Sequence, residues 1–211
     1  MTADAHWEAV YKSRKATTVS WYEPTPEASL KTIERLTKGI PGRFIDVGGG
    51  ASSLVDALLE RGWTDLTVLD VAEPALRVAR ERLGDRANRV KWEVADITTW
   101  RAPVAYDVWH DRAVFHFLTT AEGRDGYKRA MLSGTRVGSL IIMATFAPDG
   151  PDRCSGLEVR RYSPEGLAEE LGSDFHLVEG WREIHTTPNG GSQAFSWTVF
   201  RRARPVMGPG I

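Results

Sequence analysis

The sequence predicts an α/β fold built on a mainly parallel sheet with helices on both faces, and three observations carry that prediction. From Arg43 onward, short apolar strand patterns alternate with stretches of helical period, the rhythm of a doubly wound sheet. The first strand runs straight into three glycines in "RFIDVGGGASSL", Arg43 to Leu54. The chain then ends on two successive strand patterns, "FHLVEGWREIH" and "AFSWTVFRR", joined by "TTPNGGSQ" with no helix between them. A turn rich in Pro, Asn and Gly between two such runs is a β-hairpin, so the sheet is expected to be mixed, with an antiparallel strand near one edge.

Two helices are expected before the first strand. Trp7, Val10 and Tyr11 recur at helical spacing. In "TPEASLKTIERLTKG", Thr25 can cap, Pro26 takes the first helical position and Gly39 can close the helix. The expected order then runs as strand 43–47, helix 53–61, strand 66–69, helix 74–83, strand 89–94, strand 106–109, helix 121–135 and strand 138–146. A short helix capped by Ser163 and Pro164 precedes the hairpin. The boundaries divide the chain into an N-terminal helical lid over residues 1–40, a catalytic-sized domain over 41–203, and a flexible tail over 204–211.

Composition removes several classes of function. The chain has 211 residues and lacks an apolar run of the roughly 18 residues that a membrane span needs. Its N-terminal "MTADAHWEAVYKSRK" has no apolar block of the kind that marks a secretory signal, and the expected location is cytoplasmic. With 27 basic and 28 acidic residues interspersed, the chain offers no field to hold a nucleic-acid backbone. The single cysteine, Cys154, makes no internal disulfide and builds no zinc site by itself. No His, Asp and Glu cluster has ligand spacing, so no metal is expected.

In an open parallel sheet, ligands bind beyond the carboxyl ends of the strands. Gly48 and Gly50 let the backbone turn tightly there, and the N–H groups opening the next helix can receive polar groups. Asp70 ends the second strand about 20 residues on, where a carboxylate can accept both hydroxyls of a ribose. Asp96 follows the third strand, where it can accept from an exocyclic amine while Ile97 packs on a flat ring. Each alone is an ordinary loop or cap residue, but together they outline an adenosine site. The dinucleotide pattern G-x-G-x-x-G fails, because Ser53 stands three places after Gly50. A Walker loop also fails, because no lysine lies between Lys38 and Lys91. An adenosine without phosphates remains.

Here the sequence resembles the class I S-adenosylmethionine-dependent methyltransferases. The resemblance rests on "FIDVGGGAS", "LDVAEPAL", "VADI" and "YDVWHDRAVFHFL", which occur in family order and spacing. It implies a Rossmann-like seven-stranded sheet of order 3-2-1-4-5-7-6, with S-adenosyl-L-methionine as cofactor and S-adenosyl-L-homocysteine as product. Carried over by position, Asp46, Gly48 and Gly50 surround the amino acid part of the cofactor. Asp70, with Val71 beside it, holds the ribose, and Asp96 and Ile97 hold the adenine. Ser52 departs from a frequent third glycine, and Ala72 from a frequent serine. "HWEAVY" and "SWYEP" resemble the opening of a subset of the family, in which such aromatics lie across the cofactor; Trp7, Tyr11, Trp21 and Tyr22 would then form a lid.

For catalysis, the expected position is just after the fourth strand, at "WHDR". His110 can act as a base toward a hydroxyl, thiol or amine, with Asp111 orienting it or binding a substrate cation. The alternative is that Asp111 caps a short helix "RAVFHFL" and holds His110 there. His116 reads as structural, and the loop "APDGPDRCSGLEVRRYSPEGL" is long enough to close over a substrate. The functional expectation is methyl transfer to O, N or S of a small molecule. Its alternatives are transfer to a protein lysine and a binding protein without turnover, and the oligomeric state is open.

Overall fold

The computed structural model describes residues 3–13 and 16–204. Seven strands form one sheet: β1 (Phe44–Val47), β2 (Leu66–Asp70), β3 (Val90–Val94), β4 (Tyr106–Arg112), β5 (Thr135–Phe146), β8 (Phe175–Thr186) and β9 (Ser192–Arg202). Two further short strands, β6 (Arg153–Cys154) and β7 (Leu157–Glu158), pair only with each other. The helices are α1 (Ala3–Ser13), α2 (Glu27–Thr37), α3 (Leu54–Glu60), α4 (Glu73–Leu83), α5 (Ala121–Ser133) and α6 (Pro164–Leu171). The sheet order is β3-β2-β1-β4-β5-β9-β8, and β9 runs antiparallel to both its neighbours. This is the expected Rossmann-like arrangement, with the last two strands renumbered by the β6–β7 hairpin. The segment 205–211, most of the tail anticipated as flexible, lies outside the described residues.

Successive strand residues face opposite sides of a sheet, and the core divides on that period. Phe44, Val108 and Ile142 join Leu30 of α2, Leu58 of α3 and Leu76 of α4 on one face. Ile45, Trp109 and Ile141 join Tyr127 of α5 and Leu167 of α6 on the other. The connections after β1 and β2 therefore cross one face and the connection after β4 crosses the opposite one. They diverge between β1 and β4, the position at which an open sheet forms its ligand crevice.

Three expectations are corrected. First, β4 continues to Arg112, so His110 and Asp111 are strand residues rather than loop residues beyond the strand. Polar side chains in a strand buried on both faces persist where each has a hydrogen-bonding partner, and both have one. Second, the anticipated helix "RAVFHFL" is only a 3-10 turn at Phe115–Phe117. Third, Pro26 precedes α2 rather than opening it, and Lys38, at φ 55°, ends that helix ahead of Gly39. The Ser163 cap holds, its side chain accepting from the Gly166 N–H.

Candidate active site

The carboxyl ends of β1 to β4 open into a cavity of about 200 Å³. Val47 and Gly48 follow from β1, Asp70 and Val71 from β2, and Asp96 and Ile97 from the end of β3; all border it. On the far side stand Arg112, Val114, Phe117, Leu118, Cys154 and Leu157. Trp7, Tyr11 and Trp21 of the N-terminal segment complete the wall. A smaller cavity of about 60 Å³ adjoins it and is bordered by Tyr22, Asp46, Gly48, His110 and Arg112, with Trp21 shared between the two.

The glycine loop is shaped by how closely it approaches its neighbours. Gly48 and Gly50 take φ of 68° and 42°, a region that side chains with a Cβ seldom enter. A Cβ on Gly48 would meet Val114 at 2.0 Å, and one on Gly50 would sit 2.9 Å from Asp70 Oδ2. Gly49, to which the sequence reading gave no role, is required as well, since its Cβ would stand 2.6 Å from Asp46 Oδ2.

Asp70 is buried, with 8% of its surface exposed. Its Oδ1 accepts the Ala72 N–H at 2.8 Å. Burial is the largest influence on it and pushes its carboxyl up to about 7, although the Ala72 hydrogen bond pulls the other way. The Tyr11 hydroxyl lies close by and is held well above its ordinary range by burial and by the Asp70 charge. Asp96 is exposed and turns its own loop, its Oδ1 accepting from the N–H and the hydroxyl of Thr98.

His110 and Asp111 part company on the sheet period. Asp46 and His110 are register partners across β1 and β4, so their side chains share one face and meet, Nδ1 to Oδ1, at 2.7 Å. With an ionised Asp46, Nδ1 carries the proton and Nε2 accepts from the Ser29 hydroxyl of α2 at 3.0 Å. Asp111 faces the other side and is fully buried. It accepts from the N–H groups of Val114 and Phe115 and from the Tyr127 hydroxyl of α5. Burial pushes its carboxyl up to about 6 against those hydrogen bonds. It borders neither cavity, so the geometry fits the capping alternative, in which Asp111 holds a turn. It also sets Ala113 at φ 72° on the cavity wall, a strained conformation for a residue with a Cβ.

The structure thus gathers Trp21, Gly48, Asp70, Val71, Asp96 and Ile97 around the larger cavity, and Asp46 and His110 around the smaller. Gly50 contacts the site through Asp70, and Asp111 does not reach it. Sequence reasoning gave no role to Arg112 or Glu23. Arg112 Nη1 donates to the Trp21 carbonyl at 2.9 Å and Nη2 to Glu23 at 2.8 Å, while its guanidinium lies over the Phe195 ring. His185 Nε2 meets the Ser20 carbonyl at 2.8 Å and adds a second fastening. The only sequence cue was a charge at the end of a central strand. His116 is buried, and burial drives its imidazole down to about 3, in keeping with the structural reading.

Residues 44–132 match the family model described as a methyltransferase domain. Among curated proteins, the mouse (Mus musculus) eEF1A lysine and N-terminal methyltransferase is 27% identical over 120 residues, 56% of this chain; the chain spans 17% of that relative's length. A SAM-dependent methyltransferase of Anabaena variabilis superposes with a TM-score of 0.74 at 14% identity, covering 96% of each chain. The 1,6-didemethyltoxoflavin-N1-methyltransferase of Burkholderia thailandensis, solved with bound 1,6-didemethyltoxoflavin and S-adenosylhomocysteine, gives a TM-score of 0.71 at 20% identity, covering 97% of this chain and 92% of that one.

Proposed function

We propose that this chain, whose residues 44–132 match a methyltransferase-domain model, is a class I enzyme that transfers the methyl group of S-adenosylmethionine to a small molecule. The observation that carries the reading is the continuity of one cavity from Asp70 and Asp96 to the apolar wall beyond β4. The residues present fit the cofactor. The Asp70 carboxylate borders the cavity beside Gly50, where any Cβ would intrude on Oδ2, and it can accept from a ribose. Asp96 and Ile97 border the next part of the cavity, where an adenine would lie. Asp46, tied to His110, stands at the smaller cavity, where an ammonium group would find a carboxylate.

When bound, the cofactor supplies an electrophilic methyl group on a sulfonium. The protein's part is to orient and to exclude water, effects worth about 7–11 kcal/mol in favourable cases. Trp7, Tyr11 and Trp21 act as the lid, and residues 1–40 as the segment that carries it. His110 acts as a positioning residue that holds Asp46, and Asp111 as one that holds the turn after β4.

Two features favour a small acceptor over a polypeptide. The Burkholderia neighbour is named for methylating a small heterocycle. Among the described residues, the large exposed hydrophobics are Ile and Val only, and the lid aromatics Trp7, Tyr11, Trp21 and Tyr22 are half-buried, whereas a groove for a peptide would leave aromatic surface fully open beside the lid. The mouse relative favours a second reading, transfer to a protein lysine. Calorimetry tests the cofactor assignment: S-adenosylhomocysteine is expected to bind and a nicotinamide dinucleotide to give no heat, and the reverse result overturns it.

A further inference from the structure

We propose that the methyl acceptor is a small, apolar molecule that reacts as an anion, a thiolate or an acidic phenolate, and that the protein supplies no base. This rests on the methyltransferase reading above and narrows it to a substrate class.

The wall beyond β4 is the part of the cavity left for an acceptor, and its side chains are Val114, Phe117, Leu118, Leu157 and Cys154, with Trp7 across from them. Trp7 meets Phe117 edge to face at 5.0 Å and Trp21 at 5.5 Å, so the rings close on one another. Both carboxylates that border the cavity, Asp70 and Asp96, lie at the ends of β2 and β3 on the adenosine side. The charged side chain on the acceptor side is Arg112, whose guanidinium is paired with Glu23 just outside this cavity and whose Nε has no acceptor among the described residues. A cationic amine entering here would leave water without finding a carboxylate, which is costly. An anion finds apolar walls with the Arg112 guanidinium at their edge and no carboxylate lining its side of the cavity.

The groups that might take a proton from an acceptor are otherwise engaged. His110 is hydrogen-bonded through both ring nitrogens, to Asp46 and to the Ser29 hydroxyl, and Asp111 is turned into the opposite face. His116 borders neither cavity. The Cys154 thiol, bordering the cavity, is pushed up to about 11 by burial and stays protonated. An acceptor that has already lost its proton to solvent needs no such group. The thiolate sulfur or phenolate oxygen forms the bond to the methyl carbon, and the carbon–sulfonium bond breaks with its electron pair passing to the cofactor sulfur. One negative and one positive charge become two neutral products, a change that an apolar, water-poor cavity favours.

The test uses the full-length chain with four acceptors that share one ring: benzenethiol, phenol, aniline and benzylamine. Benzenethiol is expected to be methylated best, with kcat/KM falling about tenfold for every pH unit below its own pKa, in step with its thiolate fraction. Leu157→Asp, which adds a carboxylate to the partly exposed hairpin, is expected to reduce that turnover at least tenfold while leaving the calorimetric affinity for S-adenosylhomocysteine unchanged. Three results overturn the inference while leaving the enzyme class intact: benzylamine or aniline turned over faster than benzenethiol, a rate that stays flat below the thiol's pKa, or binding of S-adenosylhomocysteine without methylation of any of the four. Failure to bind S-adenosylhomocysteine overturns the methyltransferase reading itself.

Discussion

Arg112, the last residue of β4, and Glu23, in the segment before α2, form an ion pair at 2.8 Å with 12% and 16% of their side chains exposed. A second donor of the same guanidinium holds the Trp21 carbonyl. One residue at the mouth of the cavity therefore fastens the segment that walls it. Replacing Arg112 with Gln leaves Glu23 half-buried without its cation, at a cost of about 2 kcal/mol, or roughly 30-fold in the closed population. S-adenosylhomocysteine should bind more weakly by a comparable factor, and limited proteolysis should cut between Val19 and Pro26. Unchanged affinity and unchanged cleavage would show that the segment closes without this pair.

Asp70 should make cofactor binding depend on pH. Its carboxyl stands near 7 in the free protein because burial disfavours the charge, yet accepting two ribose hydroxyls requires the ionised form. Affinity for S-adenosylhomocysteine should fall about tenfold per pH unit below that value, and binding near pH 6 should release a proton. Calorimetry in buffers of different ionisation enthalpy measures that release, and Asp70→Asn should bind weakly with no pH dependence. The same shift acts on the free fold. A carboxylate raised from an ordinary value of 3.8 contributes its stability below that value and loses it as pH rises through about 7, so Asp70→Asn should flatten the melting temperature across that window.

Glycine substitutions separate space from strain. Gly50→Ala puts a methyl group 2.9 Å from Asp70 Oδ2 at a φ of 42° and should abolish detectable cofactor binding. Gly62→Ala faces open space at a φ of 83° and should cost only the backbone strain, about 1–2 kcal/mol in thermal unfolding, with affinity intact. Equal loss of affinity in both variants would mean that the glycine loop acts through stability alone.

Asp111→Asn tests the division between His110 and its neighbour. The amide cannot accept from the Val114 and Phe115 N–H groups and from Tyr127 together, so one buried donor loses its partner, at about 1–3 kcal/mol. The melting temperature should drop while kcat of the folded enzyme stays close to that of the parent. A collapse of kcat without a change in melting temperature would return Asp111 to the chemistry.

Much of this was legible in the residues, for reasons that are local. Strand period, the glycine turn and the closing Pro, Asn and Gly turn are written in neighbouring positions, so the succession of elements and the hairpin of β8 and β9 could be read directly, whereas the order of strands in the sheet was implied by the family resemblance. Asp70, Asp96 and Ile97 stand at strand ends, and the sheet places strand ends around one cavity. His110 and Asp111 were harder, because adjacent polar residues look alike until the length of β4 fixes which face each takes. The reach of Arg112 back to Glu23 spans 89 positions, and no local pattern encodes it. The φ of 72° at Ala113 has no sequence signature either.

Methyl transfer to a small molecule leaves a label that can be followed. The purified chain is incubated with methyl-labelled S-adenosylmethionine and a size-fractionated extract, with Asp70→Ala as control. Label is expected in the low-molecular-weight fraction and should disappear in the variant. Label confined to a discrete protein band, or no label in any fraction, would contradict transfer to a small molecule.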